Sequence, residues 1–339
     1  MKNPTYFEKA QAVWDELSAL LDKGRRVGAR GLTAEELARL DRLYRLTTIH
    51  LAQVRLRTTN QALIERLNRL VARAHSFIYV APRQNPLSRA AHFYAVGFAR
   101  TVARTWRYHL AAFVLFAAGA LAAYWGTLND TLTAYALLGD DIRLPGASVE
   151  QLESVLRSNR EWDGAEKFQF ASFLLTHNTK VGFTAFALGV FCGIPTVFLM
   201  LINGGLLGAF AAVHHTHGVS TEMWAWILVH GITELTAIML CGGAGFMLGM
   251  AVLRPRHATR AQSLVVAGRE AFRIVLGVVP MFVLAGIIES YVRQSHLPVT
   301  GRLIFAASTA IFWAAYFRMG AYLEARDREE CAELTPRDL

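Results

Sequence analysis

At 339 residues, 53% of them hydrophobic and with a positive mean hydropathy, the chain has the makeup of a membrane protein rather than a soluble enzyme. Lys and Arg outnumber Asp and Glu by 35 to 26, but the excess is uneven: residues 1–109 hold 19 basic side chains, whereas 128–172 hold four against eight acidic ones. That asymmetry around an apolar run points to membrane orientation and away from nucleic acid as a partner. Three cysteines with no C-x-x-C pair argue against a disulfide framework or a cysteine metal site.

Residues 1–30 lack the apolar core of a secretory signal, so the first apolar run, near residue 110, is expected to act as an uncleaved anchor. Before it, residues 1–80 read as three amphipathic helices. The first carries Phe7, Trp14, Leu17 and Leu21 at helical spacing, with Thr5 and Glu8 placed as a capping box. Gly28 and Gly31 break it. Thr33 and Glu36 open the second, with Leu37, Leu40, Leu43, Tyr44, Leu51 and Val54 on one face. The third runs from about Asn60 to Tyr79 through Leu63, Leu67, Leu70, Val71 and Ile78. Three such stripes predict a small cytoplasmic bundle over 1–86, closed by the linker that holds Pro82 and Pro86. In 87–109 aromatics alternate with Arg89, Arg100, Arg104 and Arg107. This pattern predicts an amphipathic helix on the inner membrane surface, with aromatics such as Trp106 in the headgroup zone and Arg100, Arg104 and Arg107 towards anionic lipid.

A crossing helix needs about 20 mostly apolar residues. Six are predicted in 110–320, at about 110–128, 173–193, 195–214, 223–252, 272–292 and 302–318. Gly193 and Pro195 mark the corner between the second and third, because a 42-residue apolar stretch cannot cross once. Residues 163–178 read either as a re-entrant helix or as the start of the second span. The acidic segment 129–172 is expected outside, with a short amphipathic helix near Ser148, Gln151, Leu152 and Leu156. An even number of crossings, with basic segments on one side, places both termini and the tail 321–339 in the cytoplasm. The fold class is therefore all-α: a polytopic helical membrane protein with an N-terminal cytoplasmic helical bundle.

Polar side chains inside hydrocarbon are costly, so each is a candidate site residue. Asn178, Asn203, His230, Glu234 and Glu289 form the set, and their positions suggest convergence in the outer half of the bundle. His230 and Glu234 stand four apart and share a helix face. They could form a metal site with Glu289 or an external histidine, a proton-coupled transport site, or a buried hydrogen bond that locks helices. The last is favoured, and no metal or other cofactor is assigned. His214, His215 and His217 are weak metal candidates, because their spacing matches no standard site. Gly245 and Gly249 form a small-x-x-x-small step that fits either internal packing or a dimer interface. No G-x-S-x-G and no H-E-x-x-H occurs, so no catalytic residues are assigned.

Taken in order, several pieces resemble a known family. They are Leu43-Tyr44-Arg45, Leu67-Asn68-Arg69-Leu70-Val71, Gly193-Ile194-Pro195-Thr196 and Asn203-Gly204. His217-Gly218, His230-Gly231-x-x-Glu234-Leu235 and Ala285-Gly286-x-x-Glu289 come after them. The set resembles the stage II sporulation protein M-like integral membrane proteins over most of residues 7–292. That resemblance implies a bacterial inner-membrane protein without established catalytic residues. In spore formers the relative works beside a peptidoglycan hydrolase and a partner membrane protein. In bacteria that do not sporulate, the resemblance implies neighbours such as MoxR-type AAA+ ATPases. Where the family often has paired Asn, this chain has His177-Asn178.

The expected function is that of a noncatalytic inner-membrane scaffold, a homodimer in contact with membrane lipid, that joins cytoplasmic partners to an envelope process. The alternative is a transporter or lipid-handling protein with a polar cavity between the spans. A weaker alternative is an intramembrane metal-dependent hydrolase using His230 and Glu234.

Overall fold

Among the described residues of the computed structural model, every regular element is a helix. The described residues are 6–28, 31–57, 60–79, 85–139, 144–156, 164–255, 259–292, 295 and 297–334, with the side chains of 6–9, 164–175 and 331–334 left aside. The expectations that fall on Thr5, the Phe7 side chain, residues 81–84, Arg256 and His257 therefore lie outside the described residues. The chain divides into two compact units, Met1–Pro86 and Leu87–Leu339.

In the first unit, α1 (Tyr6–Val27), α2 (Ala34–Arg57) and α3 (Gln61–Tyr79) each pack against the other two. Apolar residues spaced three and four apart form the shared core. Ala10, Trp14, Leu17 and Leu21 meet Leu40, Leu43, Leu51 and Val54, and both sets meet Leu67, Leu70 and Ala74. The Trp14 indole N–H donates to Nδ1 of His50 at 3.2 Å, which gives a buried donor its acceptor. Thr33 caps α2 as expected: its hydroxyl accepts from the Glu36 amide at 3.2 Å, and Glu36 accepts from the Thr33 amide at 3.1 Å. The bond from Lys23 is the main cause that holds the Glu36 carboxyl below its usual range. Arg39–Glu16 at 2.8 Å and Arg73–Asp22 at 2.6 Å link helices across the surface. One expectation fails. Leu37 is 41% exposed, because the core face of α2 begins at Leu40.

The second unit opens with α4 (Pro86–His92), a π turn (Phe93–Gly97) and α5 (Phe98–Arg104), and then breaks at Thr105. Next come α6 (Trp106–Asn129), the short α7 (Leu132–Leu138) and α8 (Val149–Leu156), and α9 (Gly164–Ala187). The long helices α10 (Ile194–Thr216), α11 (Ser220–Leu253), α12 (Arg260–Ile287) and α13 (Val299–Leu334) complete it. α6, α10, α11, α12 and α13 are long and apolar enough to cross a membrane. α9 is not one of them. It is one continuous helix from residue 164 to 187, interrupted by the polar run His177-Asn178-Thr179-Lys180, with Lys180 exposed.

Contacts fix the helix directions. Gly182 sits against Cys241, and Gly189 against Gly245, so α9 and α11 run the same way. Gly204 faces Phe116 and Gly208 faces Ala120, so α6 and α10 also run together. A Cβ on Gly204 or Gly208 would run into the backbone carbonyls of α6 (Phe116 and Ala120), which is why these helices approach so closely only through glycine. Gly245 and Gly249 are used inside the chain in the same way, against α9 and the 192–193 corner. At that corner Gly193 takes φ +75° and Pro195 enters the first turn of α10. Pro280 lies inside α12 and leaves the Leu276 carbonyl without its helical donor. The Tyr94 hydroxyl donates to that carbonyl at 3.3 Å.

Candidate functional site

The four-residue step sets His230 and Glu234 on one face of α11. α12 passes that face in the opposite direction, since Cys241 and Phe282 both meet Gly182 while His230 meets Glu289 further along. The end of α12 widens into a π turn, Ile288–Val292, in which Ile288, Glu289 and Ser290 are buried in succession. The chain is thus enclosed around most of its circumference where Glu289 sits.

Nε2 of His230 lies 3.7 Å from Oε1 of Glu289. One ligating atom from each of His230, Glu234 and Glu289 lies within 4.8 Å of the others. His230 is 7% exposed, Glu289 is 4% exposed, and Glu234 is half-buried. The Trp226 ring stands edge-on to His230 at 6.2 Å. Trp313 of α13 donates its indole N–H to the Thr233 hydroxyl at 2.9 Å, so a third helix is tied to this level of α11. One imidazole and two carboxylates can share protons, or they can ligate a cation.

Of the other two residues of the expected set, Asn203 is satisfied within its own helix. The Asn203 amide donates to the Leu199 carbonyl of its own helix at 2.7 Å. Asn178 is half-buried on α9. The histidines near the end of α10 do not converge. His214 is fully buried, with Nδ1 at 2.8 Å from the Phe210 carbonyl, and His217 holds the Val213 carbonyl at 2.7 Å. His215 bonds the Tyr124 hydroxyl. Three histidines in four residues point in different directions around a helix end, and each spends a nitrogen locally.

The expected membrane-surface residues also divide. Phe98, Ala99, Thr101 and Val102 of α5 are buried against α12 and α13, so this stretch is a bundle helix and not a helix lying free on lipid. Arg100 reaches Glu324 at 3.3 Å and Asp327 at 2.5 Å. The hydrogen bond to Asp327 is the leading cause that raises its already high pKa. Arg104 pairs with Glu270 at 3.1 Å. Arg104 is exposed although paired, and Trp106, 53% exposed, and Arg107, whose guanidinium stands 5.8 Å over the Trp106 ring, are exposed as well. The chain therefore enters and leaves the bundle at one end, with α5 clamped to the end of α13.

Two features have no counterpart among the sequence expectations. An open groove of about 660 Å³ at that same end is lined by Arg104, Tyr108, Met247, Arg254, Val266 and Glu270 among others. Its residues come from three separate segments, so no local pattern announces it. In the first unit, Leu46, Ile49 and Leu56 of α2 are exposed at 38%, 54% and 88%, on the side away from the core face. Their spacing of three and seven is a readable signal, hidden because the opposite face of α2 is apolar as well.

These features define an all-α, multi-pass membrane protein with a separate helical unit at its N-terminus. A family model, Stage II sporulation protein M, matches residues 112–293, and the chain belongs to that family. A second model, a domain of unknown function (DUF8413), matches residues 5–80. No curated protein and no solved structure matches the chain.

Proposed function

We propose that the protein is a noncatalytic scaffold of the bacterial inner membrane, with both termini in the cytoplasm, that docks a cytoplasmic partner on its N-terminal three-helix unit. The carrying observation is the second apolar stripe of α2. Leu46, Ile49 and Leu56 are exposed while the same helix buries Leu40, Leu43, Leu51 and Val54 in the core. Exposed contiguous apolar surface bordered by charge is the usual mark of an interaction face. Here the border is basic, with Arg42, Arg45 and Arg55 exposed beside the stripe. The surface suits a protein that offers an apolar strip flanked by carboxylates. A MoxR-type AAA+ ATPase or an envelope protein fits the role that family resemblance implies. The return of α13 to the end where α5 begins supports placing both termini on one side, and the basic charge of that side supports the cytoplasm. Burial of His230 and Glu289 against each other supports a packed bundle rather than an aqueous path.

A photo-crosslinking residue at Ile49 in the full chain, expressed in its own host, tests this reading. A discrete protein adduct that disappears when Leu46 and Leu56 are both changed to Asp supports it. Adducts with lipid alone, or full genetic complementation by the double variant, refute it.

A further inference from the structure

We propose that His230, Glu234 and Glu289 form a binding site for one divalent transition-metal ion of the zinc class, held between α11 and α12 within the membrane-embedded bundle. The site goes beyond the docking reading and is independent of it, since the residues belong to the other unit.

A metal ion with ligand bonds of about 2.0–2.2 Å needs donor atoms no more than about 4 Å apart, with small rotamer adjustments to close the shell. Ligating atoms of these three residues already lie within 4.8 Å of one another, and His230 Nε2 and Glu289 Oε1 are 3.7 Å apart. They come from two antiparallel helices, so an ion here would join elements distant in sequence. His230 and Glu234 project from consecutive turns of α11. The π turn brings Glu289 in from the opposite side, and such turns recur at functional sites.

Two carboxylates match the charge of a divalent cation, and the buried imidazole of His230 supplies a neutral nitrogen donor beside them. The donor set then selects among cations. Calcium and magnesium prefer cages of oxygen donors, whereas an imidazole nitrogen favours zinc and its neighbours. Three protein donors leave one tetrahedral position for a water or another small ligand. Among the described residues, the histidines of 214–217 do not belong to any group of three side chains whose ligating atoms come together.

The test uses the full chain in lipid nanodiscs, stripped with chelator, loaded with zinc and dialysed. Elemental analysis should find one zinc per chain, and cobalt loading should give the visible absorption of a four-coordinate nitrogen and oxygen site. Glu289→Gln and Glu234→Gln keep side-chain volume and should weaken binding by more than about 100-fold. A triple His214→Ala, His215→Ala, His217→Ala variant should bind as the parent does. Should the Glu variants fail to fold, X-ray absorption on the unaltered protein decides, with one imidazole and only nitrogen or oxygen neighbours expected. No retained zinc overturns the proposal. So does zinc that survives Glu289→Gln but disappears in the triple histidine variant. Neither failure touches the crosslinking result at Ile49, so this proposal and the docking reading fall separately.

Discussion

Trp14 offers a sharp test of whether the three N-terminal helices share a single core. The side chain is 3% exposed and packs among Leu17, Leu21, Leu43 and Leu67. Truncating a buried Trp to Ala costs about 3–5 kcal/mol, from lost burial and the cavity that remains. Removing the indole N–H also takes the donor from His50 Nδ1, which adds about 1 kcal/mol. A unit spanning Met1–Pro86, at roughly 0.05–0.15 kcal/mol per residue, holds about 4–13 kcal/mol in total. Trp14→Ala therefore removes a large share of that stability. Since 1.4 kcal/mol is a factor of ten, amide exchange governed by opening of the unit should accelerate by about 10³- to 10⁴-fold. The assay is hydrogen exchange with mass spectrometry on the full chain in nanodiscs. Peptides from 67–74 of α3 report on the core without containing the mutated helix, and peptides from 237–249 of α11 serve as the control. Trp14→Phe, which retains most of the ring burial, should lose far less. If α3 exchange is unchanged in Trp14→Ala while α1 loosens, the helices do not share a core and the reasoning fails.

Other perturbations probe separate links. Burial lowers the pKa of His50 below its ordinary 6.5, so the folded unit takes up fewer protons than the unfolded chain. Its stabilising contribution is complete above pH 6.5 and fades as pH falls through the depressed value. His50→Gln should flatten that slope in the exchange of α1 and α2. Gly204→Val drives a side chain into the Phe116 carbonyl and should cost at least about 1–3 kcal/mol, read as a lower melting temperature in detergent. Gly268→Ala, with open space around it, should change nothing or stabilise slightly. Arg100→Ala takes one partner from Glu324 and the Arg100 pair from Asp327, and exchange at 320–330 should quicken, with an effect that shrinks at high salt.

The helices are legible in the sequence because their signals are local. Ser148 and Gln151 cap α8 reciprocally, with bonds of 2.8 and 3.2 Å, and the Gly193–Pro195 corner lies where a long apolar stretch has to turn. The apolar faces of α1 and α3 are legible for the same reason, since each has a single stripe. α2 is only half legible. It has two stripes, and periodicity alone does not say which one meets neighbours and which meets solvent. α5 is ambiguous in a different way. Aromatics interleaved with Arg describe an interfacial helix and a helix whose Arg residues have acidic partners equally well. Glu270, Glu324 and Asp327 stand more than 160 residues away along the chain. α9 lies where the sequence predicts a second span, yet its polar run keeps it below the apolarity of the other five.

The polar cluster shows the same limit more instructively. His230 and Glu234 pair by spacing alone, because a helix turns through one full step in about four residues. For Glu289 the sequence gives only the correct end of its span. What brings it to His230 is the antiparallel register of α11 and α12, set by contacts such as Cys241 and Phe282 against Gly182, together with the π turn at 288–292. Asn203 joins the expected set because it is polar and within a span. Its amide instead returns to the Leu199 carbonyl, four residues back on its own helix. A polar side chain in hydrocarbon must find a partner, but that requirement does not fix whether the partner lies across the bundle or one turn away. Asn, with a short side chain and an amide that donates, can be satisfied by its own backbone. A carboxylate is acceptor-only when ionised and cannot bond to a carbonyl, so Glu234 and Glu289 need a hydrogen-bond donor or a cation from beyond the carbonyls of their own helices. That chemical difference separates Asn203, which its own helix satisfies, from the two carboxylates that meet His230.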